Sequence, residues 1–283
     1  MSDRSRSTAR TSAAPSKSSG APSRSTFPLL WRARWLFVQW VHRDFIVRYQ
    51  QSLLGLAWAV LQPALLLVIY GLVFTKVLHV HSPRGSYLVF AYCGLAPWTF
   101  LANAVTWGLQ CLLTNTSVIK QVYFPRSVVP LAAGGVIVVD LLIGTAVLLI
   151  LQVATAGTIH LSTITLVPIY VGLLLLTEAI VIFSALLGSF IRDVRFVVPL
   201  ILQVGFIATP IMYPQSQVKS QLGRLAFSLN PLARVIGGIR QAVVFGQWPS
   251  VTLILSLLVG GFVLLVVAVL YSASVEERLP DLL

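Results

Sequence analysis

Six stretches of this chain stay apolar for about 20 residues or more, at 54–78, 87–113, 128–154, 164–190, 194–213 and 251–271. An α-helix rises about 1.5 Å per residue, so each run is near the length that spans the hydrocarbon of a bilayer. In that medium every backbone polar group must be paired within the protein, which leaves helices or closed barrels. The weak alternation of barrel strands is absent, so helices follow. Composition agrees: 57% of the 283 residues are hydrophobic and 10% charged, whereas soluble domains carry about 25% charged residues. The expected fold is an all-α integral membrane protein with six transmembrane helices over 53–273.

The formal net charge is +12. Most of the cations flank the apolar runs, so topology and anionic lipid explain them better than nucleic acid, which is set aside. With the N-terminus in the cytoplasm, fourteen Lys and Arg fall inside and six outside: Lys76, Arg84, Lys219, Arg224, Arg234 and Arg240. Both termini are then cytoplasmic, the C-terminal one being 274–283.

Two further segments flank the spans. Residues 1–26 are rich in Ser, Arg, Ala, Thr and Pro, a composition that cannot bury a core and reads as a disordered basic tail. It lacks the apolar region of a secretory signal, though its composition also fits an organelle transit peptide. Residues 27–52 alternate Arg32, Arg34, Arg43 and Arg48 with Trp31, Trp35, Trp40 and Phe45. That pattern suits an amphipathic interface helix with aromatics inward and arginines at lipid phosphates. Asp44 and Arg48 are spaced to pair at i,i+4.

The external stretch 217–247 is cationic and half apolar. Asn230-Pro231 and Gly237-Gly238 break it, so two short re-entrant outer helices are expected before the last span.

Little in the chain points to catalysis. The histidines at 42, 79, 81 and 160 are scattered, and only His79 and His81 offer a possible metal chelate. No metal site or catalytic residue is expected. Cys93 and Cys111 read as small core residues on one helix. Asp140 and Glu178 fall within apolar runs, where ionisable residues are functional candidates; a proton-coupled secondary transporter would use such a pair. None of the four lysines follows a glycine, so the chain has no P-loop for ATP. Any ATP-driven mechanism needs a second polypeptide.

Several segments, in order, carry a resemblance: "RDFIVRYQQSLLGLAWAVLQPALLLVIYGLVF", "GLAPWTFLANAV", "NTSVIKQVYFPRSVVPLAA", "RDVRFVVPLILQVGFIATPIMYP" and "LNPLARVIGGIRQAV". Together they resemble the membrane subunits of ABC-2 type exporters for polysaccharides and polyol phosphates. The resemblance implies a homodimer of six-span permease subunits in the bacterial cytoplasmic membrane, served by two separate ABC ATPase subunits. ATP and Mg would sit on those partners, and this chain would bind no cofactor. The substrate class it implies is a lipid-linked glycan, usually on a polyprenyl diphosphate. An actinobacterial cell-wall galactan is the narrowest expectation; teichoic acid and O-antigen stay open.

The resemblance also implies a coupling helix between the second and third spans, inserted into a cleft of the ATPase and mapping here to 115–126. Val118, Ile119, Val122 and Tyr123 recur at i, i+1, i+4 and i+5, a one-sided apolar face. Pro125 disfavours helix at Phe124. Lys120, Tyr123, Phe124 and Arg126 complete the expected contact, with Arg43 and Asp44 from the interface helix. From the residues alone, a membrane-interface turn explains this stretch equally well.

For a glycan substrate, the expected conduit is one face of the first span (Trp58, Gln62, Tyr70) and one of the fifth (Gln203, Phe206, Tyr213). Aromatic rings suit the C–H faces of sugars, and Gln both donates and accepts hydrogen bonds. Ordinary helix packing accounts for any one of these residues as well. Arg224, Arg234 and Arg240 are the expected outer-gate or headgroup contacts.

Overall fold

The computed structural model describes residues 34–49, 57–73, 85–121, 124–215 and 220–275. The expected tail at 1–26, the residues at 27–33, Val122, Tyr123, His79, His81 and the chain from 276 lie outside the described residues, as does the side chain of Arg224. No strand occurs among the described residues. The helices in chain order are α1 (Arg34–Tyr49), α2 (Trp58–Leu72), α3 (Tyr87–Thr114), α4 (Thr116–Gln121), α5 (Val128–Ala156), α6 (Leu166–Phe190), α7 (Val194–Ala208), α8 (Gln221–Leu229), α9 (Pro231–Val243) and α10 (Val251–Val275). A short 3-10 turn, Leu161–Thr165, leads into α6.

Among the described residues, four helices are long and apolar enough to cross a membrane: α3, α5, α10 and the Leu161–Phe190 segment containing α6. The first and fifth expected spans appear as shorter apolar helices, Val60–Leu72 and Val194–Ala208. The fifth is shorter than its expected 194–213. Thr209 is already extended at φ −95 and ψ 138, because a residue before proline is pushed out of the helical region. α5 stops at Gly157, whose left-handed φ of 70 lets its N–H close on the Val153 carbonyl at 2.9 Å.

α3 is the centre of the bundle. Ala91, Tyr92, Cys93 and Leu95 are fully buried on it, and it meets α2, α5, α6, α7 and α9. Cys93 and Cys111 are both buried and free on this helix. α6 and α10 form a close seam. A Cβ on Gly261 would come within 2.9 Å of the Gly172 carbonyl oxygen, so the two backbones nearly touch.

α1 lies against α5, with Trp40, Asp44 and Tyr49 buried. The aromatics divide: Trp40 turns inward, while Trp35 is exposed. Before the last span, α8 and α9 form a broken pair. Asn230 caps α9, accepting from the Leu232 N–H at 2.9 Å, and Pro231 opens the helix. One face of α9 is driven into the bundle, burying Leu232, Val235, Ile236, Ile239 and Val243.

Candidate functional site

Three adjoining recesses run along α3. The recess on the α2–α7 side encloses about 560 Å³ and is lined by Gln62, Leu66, Tyr70, Trp98, Gln203, Phe206, Met212 and Tyr213, among others. Tyr70 packs on Phe206 with ring centroids 5.3 Å apart, and Trp98 meets Phe206 edge-on at 5.8 Å. Among the described residues, no charged side chain lines this space. It is an aromatic slot with amide and hydroxyl groups, suited to a hydroxyl-bearing chain that slides without being gripped.

A second recess of about 330 Å³ lies between α1, α2, α3 and α5, and shares Gln62, Thr99 and Asn103 with the first. Its polar wall holds an ion pair 92 residues apart in sequence: Arg48 donates to Asp140 at 2.8 Å. Tyr49 donates to the other carboxylate oxygen. Burial first, then the hydrogen bond and charge of Asp140, push the Tyr49 phenol up to about 12, so it remains a donor at neutral pH. The third recess, about 580 Å³, continues past Arg43, Asp44, Thr106, Gln110 and Asn115 toward α4. Asn103 lines all three.

Their common floor is a polar stripe on α3: Thr99, Asn103, Thr106, Gln110 and Thr114, at steps of four, three, four and four residues. That spacing keeps them on one face. Sequence reasoning missed this stripe because α3 is apolar on average, yet its helical period is present in the residues.

The family description "ABC-2 type transporter" matches residues 36–244. The chain belongs to the ABC-2 type transporter family. It is 32% identical over 202 residues to an O-antigen export system permease protein RfbA of Klebsiella pneumoniae, covering 71% of this chain and 77% of that one. A second Klebsiella pneumoniae protein of the same name is 29% identical over 249 residues, with 88% and 95% covered. A Myxococcus xanthus counterpart is 28% identical over 211 residues, with 73% and 79% covered.

In this ABC-2 chain, Gln62, Tyr70, Gln203, Phe206 and Tyr213 line the first recess, and Trp58 lines the second. The residues picked from 115–126 divide. α4 covers Val118, Ile119 and Lys120, with Val118 and Lys120 facing out. Ile119 and Phe124 are instead buried in the permease's own core, Phe124 against Trp40 at 5.9 Å. Large apolar groups at a bundle end gain more from that core than from water, so these two anchor the segment rather than face a partner. Arg126 is partly buried at the turn into α5.

Asp44 is also turned inward. It is buried, and Arg43 binds it at 2.7 Å while lying 3.9 Å over the Trp40 ring. The expected Asp44–Arg48 pair does not form, because Asp140 takes Arg48.

Arg240 does not reach a lipid headgroup. It is buried, donating to the Pro210 carbonyl at 2.8 Å, the Phe90 carbonyl at 3.3 Å and the Ile211 carbonyl, with its guanidinium over Phe90. The break after α7 leaves carbonyls without helical partners, and the arginine fork satisfies them. Arg234 is partly buried beside a recess formed with Gln215, Ser228 and Gln241.

The two intramembrane acids face different neighbours. Asp140 is committed to α1, while Glu178 is buried against Gly134, its Oε2 without a hydrogen-bond partner among the described residues. No cluster of three or more metal-ligating side chains occurs among the described residues.

Proposed function

We propose that this chain is the membrane-spanning permease of an ATP-driven exporter that moves a lipid-linked cell-envelope polysaccharide across the bacterial cytoplasmic membrane. The observation that carries the reading is the uncharged recess of Gln62, Tyr70, Gln203, Phe206 and Tyr213 in an ABC-2 chain. An apolar lipid would need no amide lining, and an ionic solute would need a counter-charge. A neutral glycan fits both its rings and its amides. The relatives named O-antigen export system permease point to the same substrate class. Within it, galactan on a polyprenyl diphosphate is the specific cargo proposed.

The working unit is a homodimer with two ABC ATPase subunits that carry ATP and Mg, and both chain termini lie in the cytoplasm. Val118, Lys120, Tyr123 and Arg126 are the proposed grip on the ATPase, with Ile119 and Phe124 holding that segment to the bundle. Arg224 and Arg234 are the proposed contacts to phosphate groups on the outer side. A proton-coupled carrier through Asp140 and Glu178 is disfavoured by the geometry, since Asp140 is held by Arg48 and Tyr49.

The test is deletion of the gene with complementation. Surface glycan should vanish and return, and the tagged chain, gently extracted, should bring down a P-loop ATPase. Glycan export that continues without the chain, or without any ATPase, refutes the reading.

A further inference from the structure

The recess beside the Arg48–Asp140 pair differs from the aromatic slot it adjoins. Its volume, about 330 Å³, is at the low end for small-ligand sites, enough for one ring rather than a chain. Tyr92 lines it, is fully buried, and its hydroxyl has no hydrogen-bond partner among the described residues. Buried side-chain hydroxyls are almost always paired, so an orphan beside a cavity points to an absent partner. Gly144 widens the space in front of it. A Cβ there would sit 3.7 Å from that hydroxyl oxygen and 3.6 Å from the Ala96 Cβ.

The charges narrow the choice of ligand. Arg48 and Asp140 neutralise each other at 2.8 Å. An anion would meet Asp140, and a cation would meet Arg48. A carboxylate has about four acceptor positions, and Arg48 and Tyr49 fill two of them. The guanidinium likewise keeps donors unused by Asp140. Unspent acceptors and donors side by side match vicinal hydroxyls, which donate and accept at once. Asn103 and Gln62 add amides to the same wall, and Trp58 supplies a flat apolar face at the mouth.

We infer that this recess binds one neutral sugar ring of the exported glycan, held by the Arg48–Asp140 pair and the Tyr92 hydroxyl, and that it excludes the phosphates of the lipid carrier. The inference rests on the glycan-export reading above and adds a discriminating subsite to it. One ring is inspected in the side recess while the chain beyond it lies in the aromatic slot. Gln62, Thr99 and Asn103 line both spaces.

The full-length chain in lipid nanodiscs, free of sugar-based detergent, provides the test. Saturation-transfer NMR would be recorded with the methyl glycosides of galactose, mannose, glucose, rhamnose and N-acetylglucosamine, and with inorganic pyrophosphate as competitor. At least one glycoside should bind saturably without competition from pyrophosphate. Tyr92→Phe, which removes only the hydroxyl, should weaken it about five- to tenfold, the worth of one hydrogen bond. Gly144→Val, which fills the recess, should abolish it.

Absence of saturable binding by every glycoside overturns the inference, as does unchanged affinity in both variants. Full competition by pyrophosphate makes the recess a phosphate site and overturns it too. The complementation experiment separates the two levels. If surface glycan depends on the chain but Tyr92→Phe and Gly144→Val bind like the parent, the subsite fails alone. If surface glycan does not depend on the chain, the export reading fails first.

Discussion

At the scale of single residues, charge enclosed wholly or in part decides the local structure, and its partners are distant in sequence. Arg48 reaches Asp140 and ignores Asp44 four residues away. The pair is part-buried, its side chains 21% and 11% exposed, so removing one partner costs less than at a fully buried pair, about 1–2 kcal/mol. Asp140→Leu should therefore lower the unfolding temperature clearly, and Arg48→Met with Asp140→Leu should recover most of the loss. A thermal melt of the purified variants checks this; a double variant as unstable as the single one would mean the pair does not act as a unit. Arg240 is the second case. Arg240→Met leaves the Pro210 and Ile211 carbonyls without their side-chain donor and removes a second donor from the Phe90 carbonyl, which should cost about 3 kcal/mol. Arg240→Lys should recover only part of that, since an ammonium lacks the planar fork. Faster proteolysis in the turn after α7 is the expected signature. Neither pairing was legible in the sequence. Spacing rules reach four residues along a helix, whereas these contacts join residues 92 and 150 apart.

At the scale of elements, the sequence was far more informative. Apolar runs gave the positions of α3, α5, α6 and α10, and proline explains why α7 ends at Ala208. Of the faces chosen on the first and fifth spans, Gln62, Tyr70, Gln203, Phe206 and Tyr213 gather around one recess, because helical periodicity sets which residues share a side, while Trp58 lines the neighbouring one. What the runs could not show is which helix occupies the centre. α3 carries the polar stripe from Thr99 to Thr114 and is also the most enclosed span. Average hydropathy hides that combination. Glycines make the helix seams testable. Gly260 and Gly261 are neighbours on α10, yet a Cβ on Gly260 meets nothing within 4 Å, while one on Gly261 would come within 2.9 Å of the Gly172 oxygen. Gly261→Ala should force α6 and α10 apart and lower the melting temperature. Gly260→Ala should hold it or raise it, by up to about 1 kcal/mol of helix propensity. Equal effects from the two would mean the seam is not tight.

At the scale of the whole molecule, α7 is the element least explained by one copy of the chain. Its fifteen residues span about 22 Å, short of the roughly 30 Å hydrocarbon layer. One face, with Pro199, Leu202, Gln203 and Phe206, lines the recess. The adjoining face exposes Phe196, Leu200 and Val204, Ile207 stands exposed at the rim of the recess, and none of the residues of α7 is buried. Its end at Thr209 is covered within the chain, where Asn230 and Arg240 satisfy the polar groups that lipid could not, so what one copy leaves uncovered is the apolar face. A second copy supplies that cover if α7 lies near a two-fold axis, where a residue meets its own counterpart. The recess of each copy would then open toward the shared axis, giving a polymer one wide path instead of two narrow ones. Single cysteines at Phe196, Leu200 or Val204 should form disulfide-linked dimers in native membranes under mild oxidation, since bridging requires Cα atoms within about 7 Å. Cysteine at Ile150, equally apolar and 66% exposed on α5, should stay monomeric. Dimers through Ile150, with none through the three α7 positions, would place lipid against α7 and put the two-fold axis on α5.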